Sequence, residues 1–301
     1  MKQARKTDAG RGSDDVIGHV SEAHYLDAVV AMLTQHGKEE VVAPVLGEAL
    51  GCRVAHVTGY DTDLLGTFTG EIPRQGSQLD AARTKARIGM ELSGLTIGVA
   101  SEGTFGPDPI TGMFAWNREV LLWIDDDLGI EVTGVAAGTT NFAHRLAVSW
   151  EDAEEFALAV GFPGHWVVVR PEHERDLRIR KNIRDWNGLR EAYDTVRGEA
   201  SNGRVFIETD MRAHANPTRR DMIALAARDL ARNLTSLCPV CEAPGFCSVK
   251  RVSGLPCEEC GIPTREARAE VLECVKCAHQ ETVEITEPTA APAGRCDLCN
   301  P

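Results

Sequence analysis

The last 64 residues of the chain contain four Cys-x-x-Cys pairs, which account for eight of its ten cysteines. Two thiolates that are two residues apart can fill two ligand positions of a tetrahedral metal ion, and two such pairs complete a Cys₄ shell. The gaps between successive pairs are 15, 13 and 18 residues, long enough for a hairpin. The spacing predicts two structural zinc sites with the ligands Cys238, Cys241, Cys257, Cys260, Cys274, Cys277, Cys296 and Cys299.

The order of the pairs along the chain leaves two ways to build these sites. Consecutive pairs close the smaller loops, so we predict that the pairs at 238/241 and 257/260 share one ion, and that the pairs at 274/277 and 296/299 share the other. In the interleaved alternative, the first pair joins the third and the second joins the fourth. The distances between sulfur atoms in a structure distinguish the two arrangements.

The paired cysteines could instead form a disulfide scaffold in a secreted protein. The N-terminal sequence is polar and has no apolar segment typical of a secretory signal, and no run in the chain is long enough to span a membrane. We therefore expect a reduced, cytoplasmic protein with no membrane partner, in which the paired cysteines bind metal. The other two cysteines, Cys52 and Cys247, are expected to be small buried or partly buried thiols.

The charge balance argues against nucleic acid as a partner of the ribbons. The chain has a formal net charge of −13 at pH 7, and residues 238–301 carry six Lys/Arg against ten Asp/Glu. A Zn²⁺ ion held by four thiolates leaves each site with a further negative charge. Affinity for a polyanion comes largely from Lys and Arg, so we expect the tail to have a structural role or to contact a protein partner.

The rest of the chain predicts an α/β fold, with a mixed sheet flanked by helices. Residues 1–26 are charged and aperiodic and are expected to form a disordered lead-in. Residues 27–237 are expected to form the α/β domain, and residues 238–301 the two small zinc ribbons. The domain opens with a strand at Ala28–Leu33, a helix that ends at Gly51, and a second strand, "RVAHVT".

The later segments continue the alternation of helices and strands. A helix is predicted over Gln78–Leu92, followed by a strand that runs into a Gly/Pro loop ("ASEGTFGPDP") and by a hairpin with its turn at Asp126–Gly129. "EDAEEFALAVG" predicts another helix, and "HWVVVR" and "RVFIETD" predict strands. A strong helix begins at Pro217 with Asn216 as its N-cap, and it leads directly to Cys238.

The first strand-to-helix turn is a candidate anion site, because open α/β sheets bind ligands at the carboxyl ends of their strands. The turn contains His36 and Lys38. Backbone N–H groups and the helix dipole at this position favour an anion, and Lys38 would add a positive charge. In the alternative interpretation, Lys38 and the glutamates that follow it form an ordinary solvated first turn.

The long loop after the second strand is a candidate metal site. It contains Asp61, Asp63, Glu71 and Arg74, and it ends at Ser77 before a helix that carries Lys85. Carboxylates close together in sequence suit Mg²⁺, which proteins bind through one or two carboxylates plus substrate phosphates. As an alternative, the two aspartates are turn formers and Ser77 is a helix cap, which explains these three residues but not the length of the loop.

Two further segments place acidic residues beside predicted strands. Glu102 leaves a buried strand into a Gly-rich loop, a position from which a general base or metal ligand reaches a substrate. The segment "ETDMRAHANPTRR" contains several polar residues, of which Asp210 and Arg212 are the functional candidates, because capping explains Asn216. The sequence contains no familiar nucleophile, P-loop, dinucleotide-binding or zinc-protease motif.

Several motifs resemble an uncharacterised bacterial family that is known only as a domain of unknown function. These are "HGKEE", "DTDLLGTFTGEIPRQGS", "AARTKA", "ASEGTFGPDP", "NRE", "ETDMRAHANPTR" and the closing "CDLCNP". The resemblance covers nearly everything after about residue 26, and it implies no particular activity.

The order of elements is also similar to that of the inosine/xanthosine triphosphate pyrophosphatases, a likeness of layout alone. It implies that Lys38 contacts phosphate, that Glu39 or Glu40 binds Mg²⁺, and that Glu102 is a metal ligand or base. The sequence departs from that family where His36 replaces the asparagine of its first turn.

These residues support the hypothesis of a Mg²⁺-dependent hydrolase that acts on an anionic small molecule, either phosphorylated or a nucleotide. The alternative is a non-enzymatic binding or adaptor protein built around the ribbons. An enzyme requires the residues to converge on one cleft, with Lys38 and Glu102 on the same side of the domain. The candidate catalytic residues are Glu102, Asp61, Asp63 and Glu71. The candidate substrate-binding residues are His36, Lys38, Arg74, Ser77, Lys85 and Arg118.

Overall fold

The computed structural model describes residues 24–66 and 76–301. Glu71, Arg74 and most of the predicted lead-in therefore lie outside the described residues. Tyr25 is buried and packs edge-on against Trp123, with the ring centroids 4.8 Å apart, so ordered packing begins slightly before residue 27.

A mixed five-stranded sheet forms the first half of the chain, in agreement with the predicted fold class. Its strands lie in the order β2-β1-β3-β4-β5, with β1 parallel to β2 and β3, and with β4 antiparallel to both β3 and β5. The elements are β1 (Val29–Leu33), α1 (Glu39–Leu50), β2 (Arg53–Val57), α2 (Gln78–Ser93), β3 (Ile97–Pro107), β4 (Ala115–Asp125) and β5 (Ile130–Thr139).

The strands of this sheet carry apolar side chains on both faces, because successive residues of a strand point to opposite sides. Helices therefore cover both faces. Val30 and Met32 of β1 belong to a core cluster shared with α1 and with α5 (Pro217–Thr235). Ala31 and Leu33 belong to a second cluster on the opposite face, shared with α2. The site described below lies where β1 ends between these two layers.

Strand β5 approaches α5 closely at Gly134. A Cβ atom on Gly134 would lie 2.3 Å from the backbone nitrogen of Leu230, so only glycine allows this packing distance. The side-chain amide of Asn233 donates to the Thr133 carbonyl at 2.8 Å, which ties the helix to this edge strand. The position of α5 on the sheet is therefore closely fixed.

Strand β3 is longer than predicted. The Gly/Pro loop expected after Glu102 is instead extended backbone as far as Pro107, paired with β4 along its whole length. Gly103 serves close packing here: a Cβ atom on it would lie 2.1 Å from Glu119 Oε1 and 2.8 Å from Arg219 Nη2. Glu102 therefore lies within a strand, and the prediction that it lies at a strand end is wrong.

A separate four-stranded antiparallel sheet follows, with strands in the order β6-β9-β7-β8. Its own apolar core packs against two helices. The sequence analysis did not predict the short strands β6 and β8 or helix α4, although the buried residues Leu189, Tyr193 and Val196 of α4 lie at helical spacing. The elements are β6 (His144–Ala147), α3 (Trp150–Ala159), β7 (Val167–Pro171), β8 (Arg180–Ile183), α4 (Trp186–Glu199) and β9 (Val205–Thr209).

The cysteine-rich tail is a three-stranded antiparallel sheet that begins directly after α5. Its strands are β10 (Phe246–Ser253), β11 (Ala267–Cys274) and β12 (Gln280–Glu284), in the order β10-β11-β12. Within the described ranges, no helix has the length and apolar character needed to cross a membrane.

Candidate functional site

The eight paired cysteines form two tetrads, and the tetrads are interleaved. The proximal tetrad, next to α5, comprises Cys238, Cys241, Cys274 and Cys277. The distal tetrad comprises Cys257, Cys260, Cys296 and Cys299. The predicted ligands are thus grouped in fours, but the prediction that consecutive pairs combine is wrong.

The length of the hairpin explains the interleaving. The first pair precedes β10, and the pairing register places Phe246, at the start of β10, opposite Cys274, at the end of β11. The second pair lies in the connection between these strands, at the other end of an eight-residue ladder roughly 26 Å long. Strand β12 then returns the chain to the distal end, where the fourth pair meets the second. The lengths of the loops between the cysteine pairs therefore did not predict which pairs form a tetrad together.

The spacing of the sulfur atoms fits a tetrahedral metal ion. The Cys238–Cys277 and Cys241–Cys274 sulfur distances are both 3.6 Å. In the distal tetrad the corresponding distances are 3.9 Å for Cys257–Cys299 and 3.6 Å for Cys260–Cys296. An ion with Zn–S bonds of about 2.3 Å places its ligands about 3.8 Å apart. Both tetrads can therefore hold a metal ion without rearrangement.

The protonation chemistry of the tetrads also favours a bound cation. Burial raises the pKa of Cys238, but the backbone N–H groups of Cys241 and Val240 outweigh it and lower the pKa to about 6. In the distal tetrad, the neighbouring thiols, Cys260 first, raise the pKa of Cys299 to about 12. Four crowded thiols cannot all ionise unless a positive ion compensates them, which is the role of a structural metal.

The second candidate site lies at the carboxyl end of β1 and centres on Lys38. Helix α1 follows Lys38 directly, and Gly37 takes the left-handed conformation (φ +67°) that turns the chain into the helix. Only 6% of Lys38 is exposed, and its ammonium group donates to the carbonyl of Ser101 on β3. Burial is the main cause that lowers the pKa of Lys38 to about 7. A buried lysine with a polar cleft in front of it is the unusual feature of this site.

Two buried ion pairs flank Lys38 on opposite faces of the β3–β4 hairpin. On the α2 face, Lys85 pairs with Glu102. On the α5 face, the Nε of Arg219 donates to Glu119 Oε1 at 2.8 Å, and both side chains are fully buried. The electrostatic field at Lys38 includes all four of these groups. The residues predicted from sequence therefore lie beside a second charged pair that the sequence analysis did not select.

His36 lines the same cleft and connects it to the four-stranded sheet. Its Nε2 lies 3.3 Å from Asp63 Oδ1, and burial is the main cause that lowers the pKa of His36 to about 4. The His36 ring is 5.2 Å from that of His214, which in turn lies 5.4 Å from Trp166. With its pKa lowered in this way the imidazole is neutral at pH 7, so one ring nitrogen can donate a hydrogen bond and the other can accept one.

The remaining predicted site residues either lie away from Lys38 or have structural roles. Ser77 forms a capping box with Asp80 at the start of α2, and Asp61 caps a short 3₁₀ turn by accepting from the Asp63 N–H. Arg118 is exposed and donates to Gln78 at 2.8 Å. For Ser77 and Asp61, the alternative interpretation as cap and turn former accounts for what the structure shows.

Asp210 and Arg212 form an ion pair with each other directly after strand β9. The Nη2 of Arg212 lies 2.5 Å from Asp210 Oδ2 and 3.0 Å from the side-chain oxygen of Asn182. The same sequence segment supplies two residues that do reach the Lys38 cleft, His214 and Arg219. The capping role of Asn216 does not explain Arg219, which lies three residues later in the first turn of α5. The sequence could have indicated this position, because it follows from the predicted N-cap.

Comparison with known proteins gives one family match. The model of a family described as "Domain of unknown function (DUF6671)" matches residues 85–301. This segment contains Lys85, Glu102, Glu119, Arg219 and both cysteine tetrads, whereas His36 and Lys38 precede it. No curated protein and no solved structure gives a significant match.

Proposed function

The chain belongs to the family described as "Domain of unknown function (DUF6671)", and we propose that it is a metal-dependent hydrolase of a phosphorylated small molecule or nucleotide. In this proposal the Lys38 cleft binds and cleaves the substrate, and the two tetrads hold structural Zn²⁺ ions. The observation that carries the enzymatic part is the buried Lys38. A lysine this buried is costly unless its charge is compensated.

The charges around Lys38 favour an anionic ligand. No described carboxylate forms an ion pair with Lys38, whose ammonium group donates instead to the neutral carbonyl of Ser101. Among the described residues, Lys38, Lys85 and Arg219 contribute three buried or mostly buried positive charges, against two from Glu102 and Glu119. A phosphate in the cleft would place a negative charge beside the ammonium of Lys38. The backbone N–H groups at the start of the 12-residue α1 would add hydrogen bonds.

The carboxylates can take the catalytic roles once substrate is present. Glu102 is held by Lys85. A phosphate that draws the ammonium of Lys85 would release Glu102 to hold Mg²⁺ or to orient a water molecule, with Asp63 nearby as a second oxygen ligand. Mg²⁺ commonly binds through one or two carboxylates plus substrate phosphates. Phosphoryl chemistry depends mainly on such positioning and charge stabilisation.

Replacement of Lys38 tests the anion site. Inorganic phosphate should raise the melting temperature of the wild-type protein, and its free energy of unfolding should increase with the logarithm of the phosphate concentration, by about 2.7 kcal/mol at 100 times Kd. The Lys38→Met variant should lose this effect. Lys250→Met is the matched control, because Lys250 is exposed on β10, and it should respond to phosphate as the wild type does. Equal phosphate stabilisation of all three proteins would contradict the site.

The pKa of Lys38 gives two opposite pH dependences. The pKa of Lys38 in the folded protein, about 7, is below the ordinary lysine value of 10.5, so the unfolded chain binds more protons between these two pH values. The free energy of unfolding should therefore rise with pH over this range, and less so in Lys38→Met. Stabilisation by sulfate, whose charge is constant here, should fall as pH rises through about 7. Urea unfolding of both proteins with and without sulfate measures both effects.

Hydrolysis itself is tested by a substrate screen. Purified protein with Mg²⁺ or Mn²⁺ is assayed against nucleotides and sugar phosphates for phosphate or pyrophosphate release. For any substrate found, Glu102→Gln should lower kcat/KM at least about a hundredfold, because a positioned carboxylate contributes 10²–10⁴-fold. Lys250→Met should keep full activity. Phosphate binding at Lys38 with no turnover of any substrate would support a binding protein and refute the hydrolase.

A further inference from the structure

The tail ends in a part that we name the distal head, residues 254–266 and 285–301. It contains the distal tetrad and the loops around it. A hydrogen-bonded bridge joins its two segments: Ala291 donates to the Pro256 carbonyl at 2.8 Å, and Glu258 donates to the Ala291 carbonyl at 3.0 Å. The side chain of Glu258 also accepts from the N–H of Ala293 at 3.0 Å. The head is therefore held together by its own backbone and by the cysteines that it encloses.

The proximal tetrad, in contrast, is continuous with the α/β domain. The N–H of Gly245 lies within hydrogen-bonding distance of the carbonyls of Asn233 and Ser236 at the end of α5, at 3.1 and 3.0 Å. A Cβ atom on Gly245 would lie 2.9 Å from Val132 of β5, so the ribbon packs directly on the sheet. Phe246 is buried beside Cys238 and Cys274 in one apolar cluster. Loss of this tetrad would disturb the end of α5.

The distal head has no comparable connection. Across the described parts of the chain, no hydrogen bond or ion pair joins residues 254–266 or 285–301 to residues 24–236. Its ion pairs are internal, Arg265 with Asp297 at 3.1 Å and Glu266 with Arg295 at 3.7 Å, and all four side chains are largely exposed. Surface pairs of this kind contribute little stability, so the metal is the main support of the head.

We infer that the distal head is an autonomous metal-dependent folding unit, which gains and loses its ion while the α/β domain and the proximal tetrad stay folded. This inference rests on the proposed binding of Zn²⁺ by both tetrads. It assigns the two sites different roles: the proximal site belongs to the fold of the domain, and the distal site responds to the availability of metal. The roughly 26 Å length of the β10–β11 ladder separates the two.

Two double variants test the inference. Cys257→Ser with Cys260→Ser should retain one Zn²⁺ per chain by elemental analysis, and the α/β domain should melt within about 2 °C of the wild type, a change of less than about 1 kcal/mol for a chain of this size. Trypsin should now cut after Arg265 and Arg295, the two arginines of the head, which its metal-bound fold protects. Cys238→Ser with Cys241→Ser is the matched control, and it should lower the melting temperature of the domain itself.

Stepwise metal removal from the wild-type protein provides an independent readout. A chelator should release the two ions in two phases of equal amplitude. The near-UV circular dichroism of the five tryptophans, all of which precede the tail, should be unchanged in the first phase. Release in one phase, or a lower melting temperature of the domain in Cys257→Ser with Cys260→Ser, would overturn the inference. Wild-type protein that purifies with no Zn²⁺ and binds none would instead refute the proposed zinc sites.

Discussion

A pair of double cysteine variants should differ by one bound Zn²⁺ ion, because the tetrads are interleaved. Cys241→Ser with Cys274→Ser removes two ligands from the proximal tetrad and should leave one ion per chain. Cys241→Ser with Cys260→Ser removes one ligand from each tetrad and should leave none at limiting Zn²⁺. Because a structural zinc site contributes on the order of 10 kcal/mol to folding, the second variant should lose the ordered structure of the whole tail.

The same two variants would give the reverse result if consecutive pairs combined. Each protein carries two Cys→Ser changes, so differences in thiol number cannot explain the outcome. Elemental analysis gives the stoichiometry, and the protection of tail amides from hydrogen exchange reports the fold. One ion in the Cys241/Cys260 variant and none in the Cys241/Cys274 variant would refute the interleaved arrangement.

Replacement of Arg219 by Met should be among the most destabilising single changes in the α/β domain. The substitution leaves Glu119 fully buried without the guanidinium that now lies 2.8 Å from it. Removal of one partner of a buried ion pair typically costs about 3–5 kcal/mol. The urea midpoint should fall accordingly. Arg220→Met is the matched control, since Arg220 pairs with the exposed Glu40 at 3.1 Å and should cost less than about 1 kcal/mol.

The double variant Glu119→Gln with Arg219→Met completes this test. Because it removes the unpaired charge, it should be more stable than Arg219→Met alone. If the double variant were less stable than the wild type by the sum of the two single effects, the two residues would act independently, and the ion pair would not be the reason for their burial. The double variant also shows whether phosphate binding at Lys38 depends on this pair.

The sequence was most informative where one residue type has one local role. The cysteine spacing identified all eight members of the two tetrads, and Asn216 was correctly predicted as a helix cap because N-capping depends on a few adjacent residues. Gly51 was correctly expected to end α1, where it takes a left-handed conformation. These features are decided within one turn of the chain, and tertiary packing does not override them.

The sequence was least informative where distant segments meet. Which cysteine pairs form a tetrad together depends on the length of β10 and β11. The extent of β3 depends on the close packing of Gly103 against Glu119 and Arg219. Neither property is local. The convergence of Lys38 with Glu102 and Lys85 agrees with the geometry that the hypothesis required, but the catalytic roles assigned to these residues stay predictions. Loop residues were a weaker indication of function, since the candidate site residues Asp61 and Ser77 serve as caps.

Interleaving also sets the order in which the tail can assemble on the ribosome. A nascent chain presents the pairs at 238/241 and 257/260 before Cys274 has been synthesised, so the first four thiolates available to an ion are a non-native set. A transient site formed from them would be a kinetic trap of the kind that non-local topologies encounter. Growth of the β10–β11 ladder moves these two pairs to opposite ends of the hairpin, and it therefore frees the trapped ligands for their native partners. Strand pairing would thus determine which four cysteines share an ion.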